Sequence, residues 1–262
     1  LPDFQRDFVW DASATQELLQ SILKNFPAGS LLEIQQQENV FRPRAFAGAP
    51  PISDNYVPPY LILDGQQRLT SLYQALYGKG RHRFYLDIGM LKELATTVDH
   101  KTPLYEVLDI EESLFHETYR TFKGKLVEKD KWTMEKQARE LVLPISRILG
   151  THGGYEEWRD EVVEIRKKSG IYKEGDNEIL RRLGKELIEN LTDYHFPVVT
   201  LQSRTPVEAV CMIFETLNRT GVKLSVFDLS VARLYASDIK LRDAWEGARS
   251  ESTLFNEYWI DP

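Results

Sequence analysis

The sequence predicts an α+β fold: a small mixed sheet with helices, followed by a mainly helical region. Three observations lead there. Residues 1–88 mix short β-branched or aromatic runs with turn signals and one amphipathic stretch. From about residue 100 to 195 the apolar positions recur at helical spacing among dense charge, and FPVVTL at 196–201 is a further strand candidate before another helical pattern. These divide the chain into an α/β core over 1–100 and a mainly helical region over 101–262, with 196–229 packing back onto the core.

In chain order, FVW at 8–10 is the first β-like run. Ser13 and Gln16, in capping-box spacing, open a helix whose Leu18, Leu19, Ile22 and Leu23 form one stripe, and Pro27 and Gly29 end it. SLLEI at 30–34, YLIL at 60–63 and RFYLDI at 83–88 read as strands, with a Pro-rich connection at 50–59. Helices are predicted near 132–142, 154–168 and 177–193, and no alternating run between 100 and 195 is long enough to suggest a sheet. Thr205, Pro206 and Glu208 then supply start signals for a helix buried through Val207, Val210, Cys211, Phe214 and Leu217. Gly221 follows its end, and Ser225 opens another helix through Val231, Leu234 and Tyr235.

Composition narrows the function classes. At 262 residues and 42% apolar content the chain builds its own core, and its one cysteine, Cys211, forms no internal bridge. That cysteine usage and the lack of a charged-then-apolar leader predict a cytoplasmic location. No apolar run has the length of a membrane span, so no membrane partner is predicted. A net charge of −7 excludes nucleic-acid binding through bulk positive charge, so any DNA contact must be local. The KGRHR run at 79–83 is one small basic patch; a solvated helix end is its plainer explanation.

The segment that carries chemistry is LILDGQQRLTSLYQAL at 61–76. An apolar strand runs through Asp64 and Gly65 into a helix with Leu69, Leu72, Tyr73 and Leu76 on one stripe. A helix start leaves backbone N–H groups without intrahelical partners and concentrates partial positive charge, which favours an anion. Arg68 in the first turn opposes the helix dipole by a few tenths of a kcal/mol, roughly, whereas a charge-assisted bond to phosphate returns about 1.5–3 kcal/mol. Asp64 is a candidate for Mg²⁺ or for orienting water, its plainer role being a helix cap. Gln66 and Gln67 suit ribose, base or phosphate contacts. The plainer reading of the whole segment is a βα turn with a solvent-exposed Arg.

Two further constellations stand out. In LPDFQRDFVW, Gln5 and Arg6 lie between Phe4 and Phe8; alternatively Arg6 pairs with Asp3 or Asp7, and Trp10 reads as core. In FETLNRTGVKLSVFDL, Asn218 and Arg219 end a helix and either face a ligand or close a helix-turn-helix corner. Phosphate-loop, dinucleotide and zinc-protease motifs are missing from the sequence. His82, His100, His116, His152 and His195 are scattered singly, without metal spacing.

Together and in this order, these segments resemble the domain-of-unknown-function 262 family, the N-terminal domain of GmrSD-type modification-dependent restriction systems. The resemblance rests on Phe4-Gln5-Arg6 with Trp10, on Asp64-Gly65-Gln66-Gln67-Arg68-Leu69-Thr70, and on Phe214 to Gly221 with Leu224. It implies a ParB/sulfiredoxin-like core that binds nucleoside triphosphate, GTP or ATP with Mg²⁺, between the QR and DGQQR motifs. It implies hydrolysis coupled to recognition of modified phage DNA, and control of a downstream or partner HNH-type nuclease. Carried over, Gln5, Arg6, Gly65, Gln66, Arg68, Thr70 and Asn218 become nucleotide-binding candidates. Asp64, Gln67 and Arg68 become catalytic ones, with Asp64 also the metal ligand. No clustered His-Asn-His pattern occurs up to Pro262, so the nuclease is expected outside this chain. Nucleotide preference and homo-oligomer formation are left open.

Overall fold

A computed structural model describes residues 1–2, 5, 7–36, 41–53, 55–98, 101–119, 121–122, 125–126, 132–149, 154–218, 230, 234 and 239–251. It is an α+β fold. Helix α1 (Ala12–Leu23) is followed by strands β1 (Leu31–Gln35) and β2 (Tyr60–Asp64), helix α2 (Gln66–Leu76), strand β3 (His82–Asp87) and helix α3 (Ile88–Thr96). Two single-turn helices, α4 (Leu104–Val107) and α5 (Ile110–Ser113), lead to β4 (Leu114–Thr118) and a small hairpin, β5 (Thr121–Phe122) and β6 (Lys125–Leu126). Then come α6 (Met134–Glu140), β7 (Val142–Pro144), α7 (Gly154–Lys168) and α8 (Asp176–Leu183). Helix α8 continues through a π-helical turn at Gly184–Ile188 into α9 (Glu189–Asp193). Strand β8 (Val198–Leu201), α10 (Val207–Asn218) and α11 (Leu241–Glu251) complete the described elements.

The strands form two three-stranded sheets. In the first, of order β2-β1-β8, β1 runs antiparallel to β2 and parallel to β8, a mixed sheet that reaches from residue 31 to 201. Helix α10 returns against it, and Val210 joins Leu32, Ile34, Phe41, Leu61 and Leu63 in a small apolar core. In the second, of order β4-β3-β7, both pairings are antiparallel. Its Phe84, Leu86, Leu114 and Leu143 face a larger core shared with α1, α2, α3, α7 and α8, in which Trp158 is fully buried. The packing therefore runs across residue 100.

Three expectations about elements are corrected. Residues 8–10 form no strand, because the Val9 and Trp10 N–H groups donate to the Gln67 side chain rather than to a neighbouring strand. Helix α1 is capped by Asp11, whose carboxylate accepts the Ala14 N–H at 2.8 Å. Gln16, assigned to a capping box, instead bonds the Leu114 carbonyl and the His116 ring in β4. Between 101 and 195, β4 and β7 supply strands where helices alone were predicted, since five and three residues are too short for alternation to register. The helix opened by Ser225 lies outside the described residues, apart from isolated helical positions at Ser230 and Leu234.

The helical part is stitched to the first sheet by polar bonds. Asn190 donates to the Leu23 carbonyl at the end of α1, and the Tyr194 hydroxyl donates to Phe26 O while accepting from Ala28 N. Both ties fix the turn that delivers the chain into β1, and with it the floor under Arg68.

Candidate functional site

The site is built where β2 hands over to α2. Register pairs Leu32 with Asp64, so the start of β1 lies beside the end of β2. Gly65 is the N-cap of α2 at φ +94°, and no side chain caps the helix. A Cβ at residue 65 would overlap Leu31 Cδ2, so glycine is required for both conformation and space. The predicted cap, Asp64, is turned elsewhere: its carboxylate accepts from Arg68 Nη2 at 3.2 Å.

Arg68 lies against backbone rather than in open solvent. Its Nη2 donates to the Ser30 carbonyl at 2.5 Å, and its guanidinium abuts Gly29, where a Cβ would stand 3.0 Å from Nη1. Glycine at φ +86° leaves that room. The side chain is 22% exposed, and its Nε is buried without a hydrogen-bond partner. A second orphan lies close by in the bonding network. Gln5 is 2% exposed; its Nε2 donates to Ile62 O and Leu63 O at 2.8 Å each, while its Oε1 is buried and unpartnered. A buried donor and a buried acceptor without partners are costly, about 1–3 kcal/mol each, unless a ligand or water meets them.

Gln67 has a different task. Its Oε1 accepts from Val9 N at 2.9 Å and Trp10 N at 3.3 Å, and its Nε2 donates to Asp7 O at 2.9 Å. Arg44, which carried no signal in the sequence, completes this clamp: Nη1 meets Asp7 Oδ1 and Nη2 meets Gln5 O, both at 2.7 Å. The segment on both sides of residue 6 is thus fixed to α2 and to the loop after Phe41. Gln66 is 8% exposed, and Thr70 is fully buried one turn into α2 with its hydroxyl unpartnered.

The structure therefore brings Gln5, Asp64, Gly65, Gln66, Gln67, Arg68 and Thr70 to the β2–α2 junction. Arg6 and the Arg219 to Gly221 stretch lie outside the described residues, as do Phe4 and Leu224. Asn218 is the last residue of α10, which packs on the same sheet through Val210. Trp10 packs against the larger core, as its sequence context suggests. Among the described residues no three His, Cys, Asp or Glu side chains gather as a metal cluster, and no helix is long and apolar enough to cross a membrane.

The family described as GmrSD restriction endonuclease, N-terminal domain, matches residues 1–235. The chain belongs to that family. This places it among restriction-system components. All the junction residues above, from Gln5 to Thr70, fall inside the matched part of this GmrSD-type domain. It is similar to an uncharacterized protein of Methanocaldococcus jannaschii, at 31% identity over 265 residues covering 95% of this chain. The chain spans 41% of that relative's length.

Proposed function

We propose that this GmrSD-type domain binds a nucleoside triphosphate at the β2–α2 junction and hydrolyses it to control a nuclease directed at modified DNA. The observation that carries this is the uncapped start of α2 at Gly65 with the Arg68 guanidinium in its first turn, beside the buried, unpartnered Arg68 Nε and Gln5 Oε1. Phosphate oxygens accept from helix-start N–H groups and from Arg68, and a ribose or base amine donates to Gln5 Oε1. Arg68 is pre-positioned by Ser30 O and by the Gly29 and Gly65 backbones, so little side-chain entropy is lost on binding.

Mg²⁺ fits this site only as a phosphate-borne ion, because among the described residues no three ligating side chains gather, Asp64 offers a carboxylate at the junction, and Mg²⁺ commonly takes one or two carboxylates with substrate phosphates. Bound there, it supplies neutralisation of phosphate charge. Asp64 is held by Arg68 in this structure; transfer of Arg68 from Asp64 to phosphate frees the carboxylate for a metal or water.

A second reading, nucleotide binding without turnover by a DNA-sensing or protein-interaction module, is favoured by one observation. Gln67, one of the three catalytic candidates, has both ends of its amide committed to residues 7–10. Phosphate release separates the two. With GTP or ATP and Mg²⁺, the parent protein turns over and Arg68→Ala loses both turnover and heat of binding. Binding heat with no phosphate release, with or without modified DNA, establishes the second reading. An Arg68→Ala protein that turns over at the parent rate refutes the proposal.

A further inference from the structure

Helix α8 does not run into α9 as one regular coil. Between them Gly184–Ile188 forms a π-helical turn, a wider winding of the kind that recurs at functional sites. Gly184 carries no side chain at the point where the Tyr155 ring of α7 arrives; a Cβ there would stand 2.5 Å from Tyr155 Cε1. The Tyr155 hydroxyl donates to Leu180 O at 2.7 Å, which holds the ring against α8. Turn and ring border a cleft of about 160 Å³ whose apolar wall is Ile148, Tyr155 and Ile188.

The charges around this cleft are unevenly matched. Arg159, whose side chain is 9% exposed, is answered by Asp160 at 2.8 Å and Glu156 at 3.7 Å. Arg182, which does not line the cleft, pairs with Glu186 at 2.7 Å. Its neighbour Arg181 and, four residues on, Lys185 do line it and are exposed. Their side chains have neither a carboxylate nor a hydrogen-bond partner among the described residues. The sequence joining Leu149 to Gly154 is Gly150, Thr151, His152 and Gly153, so that connection holds no acid. Glu189, the remaining carboxylate of the lining, likewise has no cation within ion-pair reach among the described residues. Two unanswered cations thus face one unanswered carboxylate across an apolar wall.

We infer that the cleft at the π-helical turn is a binding site for a small organic anion, a phosphate or carboxylate head on a ring-sized body, apart from the β2–α2 junction. Arg181 and Lys185 take the head, the apolar wall takes the body, and Glu189 accepts from a hydroxyl or amine on it. Volume sets the body, since a cavity of about 150 Å³ holds a benzene ring. The surplus of unanswered cations sets the sign of the head. An exposed cation in open water gains little from an anion, but beside a wall that sheds water the same contact strengthens. The inference goes beyond the nucleotide reading and does not rest on it, because no residue of the lining belongs to the junction.

The test is an NMR titration of the isotope-labelled chain at neutral pH, following the amides of Gly184, Lys185 and Thr192. The probes are phenyl phosphate, benzoate and, as a cation of similar size, benzylamine. One or both anions shift these amides saturably, the tighter one naming the head, and benzylamine binds at least about tenfold more weakly. Arg181→Ser with Lys185→Ser raises the Kd of the anion by about tenfold or more while keeping the parent urea midpoint. Lys79→Ser with Arg204→Ser, an exposed pair outside the lining, leaves Kd at the parent value. Amides that move with neither anion, equal losses from both pairs, or benzylamine binding as tightly as the anions overturn the inference. Arg68→Ala keeps the two sites apart. The parent Kd at the cleft amides in that variant supports the cleft, whereas loss of the shifts there assigns the anion to the junction and overturns it.

Discussion

Gln67 shows how one side chain serves as framework inside a motif that looks wholly devoted to ligand. Its amide meets three backbone groups of residues 7–10, so Gln67→Leu strands two N–H donors and one carbonyl. The expected loss is roughly 2 kcal/mol, read as a lower urea midpoint, while Gln67→Glu keeps the acceptor and loses less. An unchanged midpoint for Gln67→Leu contradicts the clamp. Gln5, chemically identical, does the opposite: only its amide nitrogen is used, on Ile62 O and Leu63 O, and its oxygen waits. Nothing in the sequence separates the two glutamines. Their partners lie almost sixty positions away, and Arg44 joins the same clamp from a stretch with no motif at all.

At the scale of elements, the strand–glycine–helix junction depends on one backbone conformation. Gly65→Ala places a Cβ on Leu31 Cδ2 at φ +94°, where an L-residue costs about 1–2 kcal/mol before any clash. The variant is expected to lower Tm and, because Arg68 Nη2 stands 3.3 Å from that Cβ position, to weaken nucleotide binding beyond what the stability loss explains. Titration calorimetry at a temperature where both proteins are folded checks this, and parent affinity in the variant would count against the junction as the site. This element was legible because everything that makes it is contiguous: apolar strand, glycine, helical stripe. The start of α1 was less so, since Asp11, Ser13 and Thr15 all offer capping oxygens and tertiary contacts draw Gln16 away to β4.

For the whole molecule, the packing of α3, α7 and α8 turns on one carboxylate. Asp176 is 2% exposed, with Lys92 at 2.6 Å, Arg166 at 3.6 Å and the Lys173 N–H at 3.0 Å. Burial alone raises its pKa, but the Lys92 and Lys173 bonds and the charges of Lys92 and Arg166 outweigh that and hold it below the usual 3.8. A depressed carboxylate contributes stability above its unfolded pKa and loses it as pH falls through the folded value. Asp176→Asn is expected to cost about 3 kcal/mol at neutral pH, leaving the buried Arg166 and the largely covered Lys92 without this counter-ion. The gap between urea melts of the two proteins is then expected to start closing as pH falls below roughly 4, the unfolded value, and to go on closing through the lower folded value. A gap that persists undiminished in acid would show that the loss is packing rather than charge.

The sequence by itself determined the α+β class, the helices at 154–168 and beyond, and the strand–glycine–helix turn at Gly65 to Arg68, because each follows from residue types at short spacing acting on the local backbone. Only the tertiary structure decided which glutamine clamps and which keeps an oxygen unpaired, that Asp64 faces Arg68 instead of capping α2, and that β3 pairs with both β4 and β7. Those outcomes are set by which distant segments arrive within bonding reach. A polar side chain takes whichever partner the packed core brings to it, and no local pattern encodes that arrival.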